Sequence, residues 1–343
     1  MTEPMPQDLS VAFAPHIRKA LSTRRIMLDV ILGLVPAIIV AGLCFRLHGL
    51  LLVGVSVLTC VATESTCNLL RRQSNSAGDL SAVVTGVILA LSLPPALPLW
   101  TAAIGAVFAI AIGKMVFGGL GANIFNPAMV GRAFLTASFG ILMTTWTVPA
   151  RIDPAMPTVA PTNDIMDIRT QATPLAWSKM AIKDENGARI YNERHPWWPN
   201  LLGEEAGSLG ETGALALLLG GLYLLVRRII SIHIPLAVLL SAFVFATIAY
   251  LISPDKYVSP FYHLTSGALL LGAFFIATDP VTAPLTVRGQ WIFGILIGGF
   301  TMLVRIAGEY PEGFMYAVLL ANSVRPLIDL FAQPVPVGGV PHG

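Results

Sequence analysis

The sequence is poor in charge. Of 343 residues, 21 are Lys or Arg and 19 are Asp or Glu, 12% in all, about half of the ~25% usual in soluble domains. A soluble fold of this length has too much surface to cover with so few charges. Cysteine is scarce as well. Three in the whole chain give no disulfide framework and no cluster for an iron–sulfur centre. Cys60 and Cys67, seven apart in an apolar run, stack on one helix face as a packing pattern. No dinucleotide fingerprint is present, and no Lys-Ser/Thr follows the glycine-rich stretch at 118–121, so a phosphate-cradling loop is excluded. A net charge of +2 with 55% hydrophobic residues excludes disorder and gives no reason to expect a nucleic-acid partner. A polytopic helical membrane protein remains.

What is present is apolar length, with a mean hydropathy of +0.73. Ten stretches are long enough, or nearly so, to cross a bilayer: 26–46, 49–67, 80–99, 100–117, 127–146, 212–226, 233–252, 263–278, 289–306 and 313–332. The first is not a cleaved leader, because no small-residue cleavage pattern follows it. Basic residues orient the array. With a cytoplasmic N-terminus, Arg18, Lys19, Arg24, Arg25, Arg71, Arg72, Lys114, Arg132, Arg227, Arg228 and Arg288 fall inside, against Arg46, Lys256 and Arg305 in short outer loops. Both termini then lie in the cytoplasm, and the segment 147–211 lies outside. That segment holds nine acidic and six basic residues and three tryptophans, so it belongs in water. It is too long for a mere connector and reads as a small folded appendage, with Trp197 and Trp198 at headgroup level.

The organisation expected is a cytoplasmic segment 1–25, a five-helix repeat 26–146, the extracytoplasmic loop 147–211, a second five-helix repeat 212–332 and a tail 333–343. Five spans on each side of the loop enter the membrane from opposite sides, so any similarity between the halves is an inverted repeat. VTGVILALSLPP at Val84–Pro95 is echoed by TSGALLLGAFFIATDP at Thr265–Pro280. ANIFNPAMVGR at Ala122–Arg132 is echoed by LANSVRPLID at Leu320–Asp329. Gly- or Pro-interrupted segments in corresponding places point to broken helices around a midplane site. Ordinary small-residue helix packing is the plainer account of the same glycines.

Three groups of residues could carry chemistry. In GKMVFGGLGANIFNPAMVGR, Gly113 to Arg132, the glycines 118, 119 and 121 allow close backbone approach. Asn123 and Asn126, three apart, share a face if the segment is helical, and Pro127 suits a first helical turn. Such amides fit the edge of a flat heteroaromatic ring. In DIRTQATPL, Asp167 to Leu175, Thr173 offers a hydroxyl with no adjacent base. It is a poor nucleophile by itself, so another enzyme would have to modify it. The intramembrane acids Glu64, Asp279 and Asp329, with Asp29 and Glu309 nearer span ends, either handle ions or pair structurally, Asp329 with Arg325 for instance. His233 and His263, at span ends, read as structural histidines.

Taken together these residues resemble the D subunit of the Rnf electron-transport complex, a family homologous to the B subunit of the Na+-translocating NADH:quinone reductase. GGLGANIFNPAMVGR, the TQAT element and ATDPVTAP at Ala277–Pro284 carry the resemblance. The short stretch before the first span favours the Rnf protein. In that family a flavin transferase joins FMN through its phosphate to a threonine in Asp-x-x-Ser/Thr-Gly-Ala-Thr/Ser. Asp167, Thr170, Ala172 and Thr173 match in order, with Gln171 where glycine is usual, so the resemblance implies Thr173 as the attachment point. It also implies a non-covalent riboflavin, carried over to Asn123 and Asn126 with Gly119 and Gly121 shaping the loop. The function implied is flavin-borne electron relay in an ion-translocating ferredoxin:NAD+ oxidoreductase of the bacterial inner membrane. The NAD and iron–sulfur sites would sit on partner subunits. The rival readings are a secondary transporter or channel without a redox cofactor, and a membrane scaffold.

Overall fold

The computed structural model describes residues 22–332, apart from 74–75, 148, 150–172, 184–187 and 189–206. The described residues are mainly helical, as lipid demands of any unpaired backbone. Four helices are apolar and long enough to span a bilayer: α1 (Thr23–Leu70), α8 (His233–Ile252), α11 (Val287–Ala307) and α12 (Phe314–Phe331). Shorter helices complete the set. They are α2 (Ser81–Leu91), α3 (Leu99–Ile110), α4 (Pro127–Ser138), α5 (Gly140–Met143), α6 (Pro174–Lys183), α7 (Ala214–Val226), α9 (Pro260–Thr265) and α10 (Leu269–Leu271). Large apolar side chains stay uncovered along the long helices; Leu43, Leu58 and Leu251 are 71, 72 and 74% exposed. In water such surface would be an anomaly, and against hydrocarbon it is the expected contact.

At 48 residues, α1 would be more than twice the ~30 Å thickness of a hydrocarbon core if straight. It is not straight. Arg46 has φ 53 and ψ −143, a conformation foreign to a helix, and the chain reverses there. Met27, near its start, lines the same cavity as Lys114, and Lys114 binds Glu64, near its end. The expected spans 26–46 and 49–67 are thus the two arms of one helical hairpin.

Other expected spans are interrupted, and each interruption has a local cause. After α2 the chain turns through Pro94, Pro95 and Pro98, none of which can continue a helix. The backbone N–H groups of Leu209 and Gly210 donate to the carbonyls of Leu93 (3.1 Å) and Leu91 (2.7 Å), which satisfies groups a helix end leaves open. The stretch expected at 127–146 breaks after α4 at Phe139. The stretch expected at 263–278 is α9, a bend at Gly267 (φ +75), α10 and a π-helical turn, Gly272–Ile276. A second π turn, Ala111–Met115, continues α3. Such turns widen a helix and recur at functional sites.

Small residues let the helices close up, as they do where lipid supplies no hydrophobic drive. Gly294 and Gly298 of α11 lie against the α8 backbone at Ile234 and Val238, and Gly33 of α1 meets Gly220 of α7. The molecule has two distinguishable ends. One, the terminal end, gathers the start of α1, Glu64, Asn68, Ser76 and Ser81, the 114–127 loop and residues 229–230 and 278–280 around a cavity. The other, the loop end, gathers Arg46, residues 91–98 and 207–211, α6 and residues 304–314. Arg132, counted by sequence with the terminal end, is buried inside α4, and its charge acts on Glu211 and Glu312 of the loop end. An arginine with buried carboxylates to face has no need of a loop. Of the 147–211 segment, residues 147, 149, 173–183, 188 and 207–211 are described, while Trp197, Trp198, the segment 1–21 and the tail 333–343 lie outside the described residues.

Candidate functional site

The cavity at the terminal end opens at its mouth and holds about 730 Å³ of space, solvent at the mouth included. Its walls come from α1, α2, α4, α7, both π turns and the loop 118–126. That loop is held by Gly118 N–H on Met115 O and Gly119 N–H on Lys114 O, both 3.1 Å. Gly118, Gly119 and Gly121 have φ of +126, +104 and +94. A Cβ at Gly119 or Gly121 would meet nothing within 4 Å, so the backbone conformation, not space, requires glycine there.

Asn123 and Asn126 both line this cavity, though not as neighbours on a helix face. Asn126 is the N-cap of α4, its Oδ1 accepting from Met129 N at 3.3 Å, with Pro127 as the first helical residue. Asn123 precedes the helix. Its Nδ2 donates to Phe125 O at 3.1 Å, and its buried Oδ1 has no hydrogen-bond partner. A buried acceptor left open is costly unless a ligand or water meets it.

Of the charged wall beside them, the sequence singled out Glu64 and Asp279 but not the lysine that meets Glu64. Lys114 Nζ stands 2.8 Å from Glu64 Oε2 and donates to Ser81 Oγ at 2.6 Å. Ser76 Oγ donates to Glu64 Oε1 at 2.5 Å, and Asn68 Nδ2 donates to Ser76 Oγ at 2.8 Å. The side chains of Lys114 and Glu64 are 1% and 0% exposed. A lysine one turn from the end of an apolar run was the available signal. Asp279 also lines the cavity, accepting from Val281 N and Thr282 Oγ1, both at 3.2 Å. Asp29 pairs with Arg227 at 3.2 Å and accepts from Tyr223 OH at 2.8 Å. Asp329 pairs with Arg325 at 3.1 Å, the structural alternative read from its spacing. His233 Nδ1 lies 2.7 Å from Ser231 Oγ.

Thr173 lies at the opposite, loop end, so the two sets of residues are not brought together. It opens α6: its Oγ1 accepts from Ala176 N at 3.1 Å and its carbonyl from Trp177 N at 2.9 Å. The residue is 5% exposed. Lys179, two turns on, fastens α6 to the end of α11 by donating to Val304 O (3.1 Å) and Gly308 O. A groove lined by Ala176, Met180, Ile306 and Pro311 runs between the two helices. Asp167, Thr170, Gln171 and Ala172 lie outside the described residues. Among the described residues no group of three His, Cys, Asp or Glu side chains could hold a metal ion.

A model of the NQR2, RnfD, RnfE family matches residues 10–338. The chain is 43% identical over 330 residues to the D subunit of the Na(+)-translocating ferredoxin:NAD(+) oxidoreductase complex of Acetobacterium woodii, covering 95% of this chain and 94% of that one. It is 39% identical over 348 residues to the D subunit of the ion-translocating oxidoreductase complex of Yersinia pseudotuberculosis, covering 95% and 97%. With the D subunit of the proton-translocating ferredoxin:NAD(+) oxidoreductase complex of Clostridium ljungdahlii it shares 37% over 333 residues, 96% of each chain. Matched over nearly its whole length, and with the asparagine-lined cavity those motifs build, the chain belongs to the NQR2, RnfD, RnfE family.

Proposed function

We propose that this chain is the flavin-carrying membrane component, of the RnfD type, of an ion-translocating ferredoxin:NAD+ oxidoreductase, assembled with the other subunits of that complex. The observation that carries the reading is the cavity at Asn123 and Asn126. It has a buried amide oxygen without a partner and a buried ammonium–carboxylate pair in its wall. These groups fit riboflavin. Asn123 Oδ1 is an open acceptor, Lys114 and Ser81 are polar atoms at the wall, and Phe274 and Phe275 offer apolar surface. A bound flavin supplies one- and two-electron chemistry; the chain's residues fix its orientation, exclude water from it and set the charge around it.

The second flavin, FMN, would be joined by a flavin transferase to Thr173 through a phosphoester. The ester oxygen remains an acceptor for Ala176 N–H, and the phosphate would stand at the N-terminus of α6, where anions are favoured. Because Thr173 is buried, attachment precedes the docking of α6 on α11 or requires its release. In this reading the terminal end faces the cytoplasm and the loop end the periplasm, as the distribution of basic residues implies. The two halves form an inverted repeat. Lys114 closes the fourth span of the first half and Arg305 that of the second. Lys114 is bound to Ser81 Oγ, Arg305 to Ser266 O. Relatives include both sodium- and proton-translocating complexes, so the family alone does not set the coupling ion.

Denaturing electrophoresis under ultraviolet light tests the reading. An esterified flavin survives the gel and the band fluoresces, whereas a transporter, channel or scaffold without cofactor stays dark. A dark band from membranes that contain the transferase would overturn the covalent half of the proposal.

A further inference from the structure

The asparagine-lined cavity carries the charge of one wall asymmetrically. Lys114 and Ser81 line the cavity, and Glu64 does not. Of the pair that meets at 2.8 Å, the ammonium therefore stands on the cavity side with the carboxylate behind it. The backing is firm. Glu64 Oε1 accepts from Ser76 Oγ at 2.5 Å, and Ser76 Oγ accepts in turn from Asn68 Nδ2 at 2.8 Å, so both carboxylate oxygens are occupied.

An ammonium has three N–H donors. Two of those on Lys114 are placed on Glu64 Oε2 and Ser81 Oγ, and the third has no acceptor among the described residues. Ser81 Oγ, which accepts from Lys114 at 2.6 Å, donates to Asp79 Oδ1 at 2.5 Å. Its hydrogen is committed, so it has none to offer a ligand. Lys114 is fixed to the rest of the site as well, since its carbonyl accepts from Gly119 N–H of the loop that bears Asn123, at 3.1 Å. Among the described residues, Asp279 is the other charged side chain that lines the cavity. Its carboxylate is taken up by Val281 N–H and the Thr282 hydroxyl, both at 3.2 Å.

We propose that Lys114 raises the electron affinity of the flavin assigned to this cavity, its free N–H directed at a ring oxygen or nitrogen that gains negative charge on reduction. The inference rests on that assignment. Every electron taken up without a proton leaves one negative charge in the cavity. The electrons are those the complex carries between ferredoxin and NAD, and no bond to Lys114 forms or breaks. Away from water a charge acts strongly at short range and salt screens it little. Glu64 cancels the charge of Lys114 at a distance but not at the cavity wall. The pair therefore favours the reduced ring while remaining neutral as a whole. Asp279 acts on the same ring with the opposite sign.

A spectroelectrochemical titration tests this on the full chain, purified in detergent from cells without the flavin transferase, so that the non-covalent flavin alone absorbs. Lys114→Met combined with Glu64→Gln removes the pair without stranding either charge. The flavin midpoint of this double variant is expected to fall by about 30 mV, which for a two-electron couple is a tenfold loss in the ratio of reduced to oxidised flavin. Asp279→Asn removes the opposing charge and is expected to raise the midpoint. A purely structural role would not move the two midpoints in opposite directions. A double variant that holds its flavin at the wild-type midpoint overturns the proposal, as do shifts of the same sign in the two variants. A double variant that loses its flavin altogether makes Lys114 a binding group and overturns it as well. Wild-type protein without extractable riboflavin overturns the cavity assignment together with this inference, whereas the other outcomes leave that assignment standing.

Discussion

Lys114 and Glu64, fifty positions apart in the chain, meet at 2.8 Å with their charged ends closed to solvent. The pair ties the π turn after α3 to the second arm of the α1 hairpin and forms one wall of the asparagine-lined cavity. Separating two such charges is far worse than replacing both. Glu64→Gln should destabilise the protein by about 3–5 kcal/mol by stranding the ammonium, while Glu64→Gln combined with Lys114→Met should recover most of the loss. Thermal aggregation of the detergent-solubilised protein, followed by size-exclusion chromatography, measures both. Equal losses in the single and double variants would contradict the pairing.

Thr173→Ala should give a dark band on the denaturing gel, and Thr173→Ser a fluorescent one. Loss of the helix cap costs about 1 kcal/mol, too little to prevent accumulation, so immunoblotting should show the Ala variant at near wild-type level. Fluorescence retained in the Ala variant would place the attachment elsewhere.

The two asparagines should separate in their effects. Asn123→Ala removes a side chain whose oxygen has no partner in the protein, and should lower acid-extractable riboflavin with little change in thermal stability. Asn126→Ala also removes the cap of α4 and should cost a further ~1 kcal/mol. Asn126→Asp keeps the cap, so its stability should approach wild type while riboflavin still falls. Chromatography of the extracted flavins gives the first readout and the melting profile the second. Covalent fluorescence should be unaffected in all three.

Glu211 sets a direction for pH. Its carboxyl is raised to about 7 from an ordinary 4.5, so the folded protein binds more protons than the unfolded chain between these values. Stability from this group is therefore full below about 4.5 and falls as pH rises to about 7. Glu211→Gln should flatten that part of the profile, read as the half-life of the solubilised protein at fixed temperature from pH 5 to 8. A slope equal to wild type would mean the carboxyl titrates no differently after folding.

Two adjacent glycines offer a packing test. A Cβ at Gly298 would lie 2.5 Å from Val238 O and collide with Ser241 Oγ, whereas one at Gly299 would meet the Phe245 ring at 3.2 Å or beyond. Gly298→Ala should force α11 from α8 and lower thermal stability clearly, by the 1–3 kcal/mol usual for overpacking, taken as an order-of-magnitude guide. Gly299→Ala, with only a side chain to displace, should change it little.

The membrane class, the helical content and the positions of most apolar segments were legible in the sequence because lipid enforces them segment by segment. Pro127 as the first helical residue was legible for a similar reason, since it acts through the local backbone. The partnership of Glu64 with Lys114 was not, because it joins two runs whose relative rotation no local pattern records. Asn123 and Asn126 would share a face only in a helical segment, and they meet at a cavity instead through a loop that the positive φ values of Gly118, Gly119 and Gly121 bend. Arg132 was counted with loop cations, because in a linear reading a charge near a span end looks solvated. Only the approach of Glu211 and Glu312, from elements far away in the chain, shows what it faces.

The reversal at Arg46 is achieved without a loop, and this makes it a register device. Glu64 follows it by about five turns, each residue contributing roughly 100° of rotation. Adding or deleting one residue at the bend would therefore swing the carboxylate around the arm, away from its ammonium, and leave the buried pair broken. Tolerance to length changes, common at exposed turns, should be absent at this one.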